Sequence, residues 1–274
     1  MVDDVLAALL PAVLFTAVAC VHYGIDAVGT TLHVATSVVL FSLYLYVFNA
    51  SNQARSVTED MANKPYRPVP RGLISPTGAM RRFWCAMAIY TLLGWLTGTL
   101  IWVVLWQTVV IGLNLWSLPR HYWVLKPVAM GLGLVVQLAA AWQIVAPPNT
   151  VIWSWVLTIA VAFVLPMPFE DVRDMDGDRQ IGRRTLPLSV GHWPVRIGFA
   201  VTMTALPLAL YLLLFRFSHA SPITIAACTA VVVIASWSAV IRSLLFRTAP
   251  ADRATYLIYT FTYCVVISCG LVLF

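Results

Sequence analysis

Apolar runs of about 20 residues, the length that crosses the hydrocarbon core of a bilayer as a helix, follow one another along most of this chain. Such runs occur at residues 5–25, 31–51, 79–98, 100–117, 126–146, 151–169, 192–215, 222–245 and 254–273. The sequence therefore predicts an all-α, polytopic membrane protein with nine transmembrane helices. The length suits one helical bundle, so we predict a single domain over residues 1–274.

The composition agrees with this prediction. Hydrophobic residues make up 61% of the chain and charged residues only 10%, whereas about a quarter of a soluble domain is charged. The formal net charge of +6 would suggest nucleic acid in a soluble protein, but here we attribute it to membrane topology and an anionic ligand. The expected surroundings are the lipid bilayer, with no nucleic acid and no obligate protein partner.

The lysines and arginines are distributed unevenly between the two sides that nine spans would create. Of the 17, all except Arg216 fall on the side of the N-terminus and of the connections after spans 2, 4, 6 and 8. Cytoplasmic loops carry the excess of Lys and Arg, so this side is predicted to be cytoplasmic. The membrane would be the endoplasmic reticulum in a eukaryote or the plasma membrane in a bacterium.

Polar residues concentrate at residues 52–72, directly after the second apolar run. If the second helix continues into this segment, several oxygen-bearing side chains recur at steps of three to four residues and share one face. These are Asn52, Ser56, Glu59, Asp60 and Asn63. The cations Lys64, Arg67 and Arg71 follow in a proline-rich stretch that stiffens the loop.

A second acidic segment, residues 170–187, follows the sixth apolar run. Spacings of three and four residues place three carboxylates on one helical face, namely Asp171, Asp174 and Asp178. Asp176 falls off that face and is expected in solvent. Arg183 follows at a distance suited to reaching a phosphate.

These two segments hold seven of the eleven acidic residues. Solvent-exposed loops alone would not explain this concentration of carboxylates. Neighbouring carboxylates repel one another, and placing them near lipid is costly. A divalent cation removes that cost, and Mg²⁺ is commonly shared between one or two carboxylates and substrate phosphates. The segments are therefore predicted to meet across a central cavity, where Mg²⁺ and nearby cations stabilise the charge of a diphosphate leaving group.

Aromatic residues within the apolar runs would form the remaining wall of such a cavity. An aromatic face can stabilise a carbocation, although core packing is the commoner role of any single ring. Trp102 and Trp106 are instead typical of the membrane–water interface. The candidate wall consists of Tyr44, Tyr46, Phe48, Trp116, Trp142, Trp155, Phe163, Phe169 and Tyr263.

The two acidic segments resemble the motifs of the UbiA superfamily of intramembrane prenyltransferases. The first motif, which ends in NKPxRPxP, is matched by Asn52, Asp60, Asn63, Lys64, Pro65, Arg67, Pro68 and Pro70. The second, DxxDxxGDxxxGRxTLP, is matched by Asp171, Asp174, Gly177, Asp178, Gly182, Arg183, Thr185, Leu186 and Pro187. The resemblance implies nine helices, Mg²⁺ and an isoprenyl diphosphate substrate.

The resemblance also implies residue roles: Lys64, Arg67 and Lys126 would hold the diphosphate. Together with neighbouring groups, the candidate substrate-binding residues are Lys64, Arg67, Arg71, Lys126 and Arg183. The candidate metal ligands are Asn52, Glu59, Asp60, Asp171, Asp174 and Asp178. The candidate catalytic residues are Asp60, Asp171, Asp174 and Asp178.

One departure from the family pattern bears on the reaction. Gln53 and Ser56 stand where the first motif has its first two aspartates, and Glu59 precedes the remaining Asp60. This arrangement resembles the membrane-bound terpene cyclase branch, whose members ionise an isoprenyl diphosphate and cyclise the cation. The sequence favours such a cyclase of farnesyl or geranylgeranyl diphosphate. The alternatives are a prenyltransferase with an aromatic or other lipophilic acceptor, and a transporter or lipid-binding scaffold.

Overall fold

The computed structural model describes residues 2–180 and 182–274, and every regular element in these two ranges is a helix. The long helices are α1 (Val2–His22), α2 (Ala27–Arg55), α4 (Pro76–Leu96), α5 (Leu100–Val110), α6 (Tyr122–Gln143), α7 (Thr150–Val164), α10 (His192–Leu213), α11 (Pro222–Leu245) and α12 (Ala249–Leu273). The short helices are α3 (Val57–Asn63), α8 (Met175–Gln180) and α9 (Leu186–Val190). A π-helical turn, Ile111–Trp116, extends α5, and 3₁₀ turns cover Pro119–His121, Met167–Val172 and Phe215–Phe217.

Seven helices in the described ranges are long and apolar enough to cross a membrane. They are Val5–His22, Ala27–Arg55, Tyr122–Gln143, Thr150–Val172, His192–Phe217, Pro222–Leu245 and Ala249–Leu273. Leu100–Trp116 is apolar but shorter, and α4 is not among the seven. The all-helical, multi-pass membrane architecture is confirmed, and each predicted run falls on a helix. The exact number of nine spans stays a prediction.

Helix starts coincide with side chains that accept a hydrogen bond from the first turn. Asp26 accepts from the Gly29 N–H at the start of α2, and Ser75 accepts from the Gly78 N–H at the start of α4. Asn149 and Ser221 cap α7 and α11 in the same way. Such caps satisfy backbone donors that have no partner within the helix.

The long helices form a closed ring in which each contacts the next. In order around the ring they are α1, α2, α4, α5, α6, α7, α10, α11 and α12, with α12 returning to α1. The connection between α2 and α4 and the connection between α7 and α10 carry the two acidic segments. Their short helices α3 and α8 contact each other, so the segments meet at one end of the ring.

The prediction of one continuous helical face through each acidic segment is wrong. α2 ends at Arg55, and Ser56 has backbone angles of φ −108° and ψ 35° before α3 begins. A tertiary contact holds this break, because Ser56 Oγ donates to Asn52 Oδ1 at 3.1 Å and accepts from Arg183 Nη2 at 3.2 Å. The second segment divides into the 3₁₀ turn Met167–Val172 and α8.

A buried ion pair joins α10 to α12 next to the second acidic segment. Arg196 Nη1 and Nη2 donate to the two carboxylate oxygens of Asp252 at 2.7 and 2.6 Å, and Nη1 also donates to the Ser243 carbonyl at 2.7 Å. Both charged side chains are almost fully buried. Each charge therefore depends on the other for compensation.

We expect Arg196→Met to lower the free energy of unfolding by about 3–5 kcal/mol, because it leaves a buried carboxylate without its partner. The double variant Arg196→Met/Asp252→Leu should recover most of that loss, since it removes both charges. Denaturant unfolding in detergent measures the two variants against the parent. A single variant within about 1 kcal/mol of the parent would contradict this expectation.

Candidate active site

One cavity inside the ring brings both acidic segments together. Its charged head, at the end where α3 and α8 meet, consists of Asn52, Glu59, Lys64, Arg67, Lys126, Glu170, Asp171, Asp174, Asp178 and Arg183. Its aromatic chamber, deeper in the ring, consists of Tyr44, Phe48, Trp106, Tyr122, Phe163, Tyr256, Tyr259 and Tyr263. The cavity is thus continuous from a charged end to an aromatic interior.

Lys126 projects from the first turns of α6 between two acids of the second segment. Its Nζ atom lies 2.5 Å from Asp171 Oδ1 and 3.2 Å from Glu170 Oε2. Glu170 also accepts from Arg173 Nη2 at 3.1 Å. Lys126 was predicted to bind substrate. It lies in the cavity wall, and its ammonium group contacts two carboxylates.

Two cations connect the first acidic segment to the second. Lys64 Nζ lies 3.9 Å from Asp174 Oδ2. The Arg183 guanidinium contacts the Glu59 carboxylate directly and lies 3.7 Å from Asp178 Oδ1. Because these contacts cross from one segment to the other, the folded chain holds acids and cations from distant parts of the sequence around a shared space.

Arg183 is further fixed by an aromatic ring at the boundary of the head and the chamber. Its guanidinium carbon lies 4.3 Å from the centroid of the Tyr122 ring, a distance at which a cation is attracted by the ring face. Lys126 Nζ lies 6.0 Å from the same centroid. Both cations therefore lie near the Tyr122 ring, and Arg183 is the closer of the two.

The Asp178 carboxylate of the charged head is not fully compensated by these cations. Burial raises the pKa of the Asp178 carboxyl to about 7, and repulsion by Glu59 and Asp171 adds to the rise. Arg183 and Lys126 lower that pKa but do not cancel the increase. Additional positive charge in the head would therefore stabilise the ionised form of Asp178.

The head has the donor chemistry of a magnesium site, although its acids are held by cations. Among the described residues, no three His, Cys, Asp or Glu side chains are grouped closely enough to hold a metal ion. Carboxylate and amide oxygens are the ligands that Mg²⁺ prefers, and the raised pKa of Asp178 marks a place where a divalent cation would relieve repulsion. The residues present therefore fit the metal by chemistry.

Asp60 does not line the cavity, in contrast to its predicted role as metal ligand and catalytic residue. Its side chain is 1% exposed and accepts from Arg67 Nη1 at 2.8 and 3.1 Å through its two oxygens. Arg67 and the neighbouring Glu59 line the cavity instead. The break at Ser56 rotates α3 so that Glu59 faces the head while Asp60 supports Arg67 from behind.

We expect Asp60→Asn and Arg67→Gln each to raise the KM for the predicted diphosphate substrate by roughly tenfold, because the contact with Asp60 would position Arg67. The double variant should be little worse than either single variant, since both changes remove one interaction. Steady-state kinetics of the three variants give the coupling energy. Strictly additive losses would show that Asp60 has a separate role.

Two further charged residues lie outside the cavity. Arg71 was predicted to bind substrate, but its side chain is exposed. It lies in a turn, where the Arg71 N–H donates to the Arg67 carbonyl at 3.1 Å. Asp176 is 95% exposed and pairs with Arg179 at 3.2 Å, which confirms its predicted location in solvent. The side chain of Asn63 lies outside the described part of the chain.

The predicted aromatic wall is only partly correct. Four of its members line the chamber, namely Tyr44, Phe48, Phe163 and Tyr263. Five do not, namely Tyr46, Trp116, Trp142, Trp155 and Phe169. Trp106, expected at the membrane interface, is 2% exposed and stacks on Tyr44 with ring centroids 4.1 Å apart.

Sequence reasoning missed three tyrosines of the chamber. Tyr122 lies one turn before Lys126 on α6, and Tyr256 and Tyr259 lie on α12. Tyr256, Tyr259 and Tyr263 are spaced three and four residues apart, which places them on one helical face. That spacing was a signal available in the sequence, but only the ring of helices reveals which face of α12 looks into the cavity.

A ring of membrane helices encloses a cavity that is charged at one end and aromatic at the other. The chain belongs to the UbiA prenyltransferase family, whose sequence model matches residues 8–269. The family assignment made from the two motifs is confirmed.

Several characterised proteins are similar to this chain. Somaliensene A/B synthase of Streptomyces somaliensis is 36% identical over 74% of this chain and 68% of its own length. The diterpene cyclase eriG of Hericium erinaceus is 35% identical over 82% of this chain and 71% of its own length. The polyprenyl transferase eriF of the same fungus is 32% identical, with coverages of 82% and 75%.

The fold is similar to that of a solved UbiA homologue from Archaeoglobus fulgidus bound to DMAPP and Mg²⁺. The TM-score is 0.68, and 96% of each chain is covered. The sequence identity of 14% is too low to transfer residue roles, so this likeness concerns the fold. The relatives that are similar in sequence include both a cyclase and a transferase.

Proposed function

We propose that this protein is a Mg²⁺-dependent terpene cyclase that ionises farnesyl or geranylgeranyl diphosphate and cyclises the resulting carbocation. The observation that carries the proposal is the continuity of the charged head and the aromatic chamber in one cavity. An isoprenyl diphosphate has the same two-part character, because a strongly anionic group is attached to a long apolar chain. Similarity to a diterpene cyclase over 82% of this chain supports the same reaction.

The cations of the head would bind the diphosphate and stabilise the charge that develops when the carbon–oxygen bond breaks. Lys64, Lys126 and Arg183 contact carboxylates at present, and each also lines the cavity. An anionic diphosphate would compete with those carboxylates for the same cations. The cations would thus hold the leaving group in the orientation set by the two acidic segments.

Magnesium would be held by oxygens of the head, for which we propose Asn52, Glu59, Asp171, Asp174 and Asp178. When bound, the metal supplies positive charge that stabilises the departing diphosphate. The carboxylates released from Lys64, Lys126 and Arg183 by the diphosphate are the groups that would accept the metal. Metal and diphosphate are therefore expected to bind cooperatively.

The chamber would receive the isoprenyl chain, exclude water and stabilise cationic intermediates. Six of its eight rings are buried. Neighbouring rings are close, since Phe163 lies 4.9 Å from Tyr263 and Tyr44 lies 4.1 Å from Trp106, measured between centroids. Aromatic faces attract cations most strongly when water is excluded. We place the head on the cytoplasmic side of the membrane, in agreement with the distribution of lysines and arginines.

A prenyltransferase that joins the same donor to an aromatic or lipophilic acceptor is the second candidate. It is favoured by the similarity to the polyprenyl transferase eriF, which is 32% identical over 228 residues. Both candidates use the charged head in the same way. They differ in what captures the carbocation. In the cyclase it is a double bond of the same isoprenyl chain, and in the transferase it is an acceptor molecule.

The experiment that separates the two candidates uses the purified protein in lipid nanodiscs with Mg²⁺ and either farnesyl or geranylgeranyl diphosphate. We expect diphosphate release and a cyclic hydrocarbon or alcohol without any acceptor, detected by gas chromatography with mass spectrometry. Turnover only after an aromatic acceptor is added would support the transferase. Binding of the substrate without release under either condition would contradict both.

A further inference from the structure

The deep end of the cavity contains a hydrogen-bonded polar pair. Gln137 of α6 and Tyr263 of α12 both line the cavity and are 1% and 3% exposed, and Tyr263 Oη donates to Gln137 Oε1 at 2.9 Å. Gln137 follows Lys126 by eleven residues on α6, which places it about 16 Å deeper at the usual helical rise. The pair is therefore far from the diphosphate end.

The orientation of the Gln137 amide is fixed by its neighbours. Its Nε2 atom donates to the carbonyl oxygens of Ala7 and Ala8 in α1, at 3.2 and 2.5 Å. Backbone carbonyls only accept hydrogen bonds, so the NH₂ group must face α1 and the amide cannot be reversed. The carbonyl oxygen of Gln137 must then face Tyr263, and the Tyr263 hydroxyl must donate to it.

This arrangement gives the Tyr263 oxygen a defined polarity. Its single proton is committed to Gln137, so its remaining capacity is for accepting. The ring of Tyr263 packs 4.9 Å from Phe163, within the aromatic chamber. In a site of low polarity, an oxygen with fixed acceptor character is a strong local stabiliser of positive charge.

We propose that Tyr263 is a specificity-determining residue, whose oxygen stabilises positive charge at the deep end of the cavity while the isoprenyl chain cyclises. The proposal rests on the proposed cyclase function, and it names the part of the cavity that selects the product. Gln137 is the positioning residue, because it holds the Tyr263 proton away from the chamber. The charged head would ionise the substrate, and Tyr263 with Gln137 would then determine which position of the carbocation is stabilised.

The test compares Tyr263→Phe with the parent in nanodiscs, with Mg²⁺ and geranylgeranyl or farnesyl diphosphate. Diphosphate release is measured in parallel, so that the products of the two proteins are compared per turnover. The ratio of the main product to the by-products should fall by about tenfold, which corresponds to roughly 1.4 kcal/mol between competing barriers. Gas chromatography with mass spectrometry measures the ratio.

Two companion variants separate a product-selecting role from a structural one. Gln137→Leu removes the acceptor of the Tyr263 proton and should shift the products in the same direction. Tyr46→Phe removes a hydroxyl from α2 at a ring outside the cavity lining and should leave the ratio unchanged. Thermal unfolding of Gln137→Leu shows whether the loss of its hydrogen bonds to α1 affects folding.

The outcomes distinguish a failure of the role proposed for Tyr263 from a failure of the proposed cyclase function. An unchanged product ratio for Tyr263→Phe in an active cyclase would overturn the role of Tyr263 and leave the cyclase standing. An equal shift for Tyr46→Phe would also overturn it, because the effect would then be general to the bundle. A parent protein that turns over only with an added acceptor would overturn the cyclase function and this proposal together.

Discussion

Asp174→Asn is expected to lower kcat on the order of 10³-fold, because it removes a head carboxylate that we propose as a ligand of Mg²⁺. Asp174 lies 3.9 Å from Lys64 and 3.7 Å from Arg173, with its side chain 15% exposed. Asp174 therefore links Lys64 of the first acidic segment to the second acidic segment. Mg²⁺-dependent release of diphosphate measures the effect.

The matched control is Asp176→Asn, two residues further along the chain. Asp176 is almost fully exposed and pairs with Arg179 at the surface, where such a pair contributes little. We expect this control to keep the parental rate, while both variants fold and bind detergent or lipid like the parent. An Asp174→Asn variant that retains Mg²⁺-dependent turnover would refute its assignment to the metal site.

Arg183→Gln is expected to lower kcat/KM by about 10²- to 10³-fold, because Arg183 would stabilise the leaving diphosphate. The change also leaves Glu59 and Asp178 without the cation that they share. Arg183→Lys keeps one positive charge but cannot reproduce the forked geometry of the guanidinium, so its loss should be intermediate. Kinetics with the isoprenyl diphosphate and Mg²⁺ measure the series.

The adjacent Arg184→Gln serves as the control for charge alone. The Arg184 side chain is exposed, so its removal changes the net charge by the same amount without altering the head. We expect parental kcat/KM for Arg184→Gln at physiological ionic strength, where surface charges are largely screened. Equal losses in Arg183→Gln and Arg184→Gln would mean that long-range attraction, rather than contact in the head, explains the effect.

Local sequence spacing was sufficient to find most of the head. Asn52, Lys64, Asp171 and Asp178 were selected from the two polar segments, Lys126 was selected from the family resemblance, and each lines the cavity. The reason is that clustered carboxylates and cations in an otherwise apolar chain are too costly to be kept without a role. Their presence near the ends of membrane helices was thus informative without any knowledge of the packing.

The same reasoning failed where the direction of a side chain depends on a tertiary contact. Asp60 and Glu59 are adjacent, and no pattern distinguishes the residue that faces the head from the one that supports Arg67. The break at Ser56 decides between them, and Arg183, far along the chain, takes part in holding that break. The Trp106 prediction failed similarly, because interface tryptophans and buried tryptophans occur in the same kind of apolar run.

The sequence by itself determined that this chain forms membrane helices and that most of its acidic residues lie in two segments, because hydrophobicity and charge act locally and can be read residue by residue. The tertiary structure decided which helix faces enclose the cavity, that Glu59 rather than Asp60 lines it, and how Gln137 orients Tyr263. Those choices depend on contacts between residues distant in sequence, such as Gln137 with α1. Such contacts exist only once the ring of helices has closed.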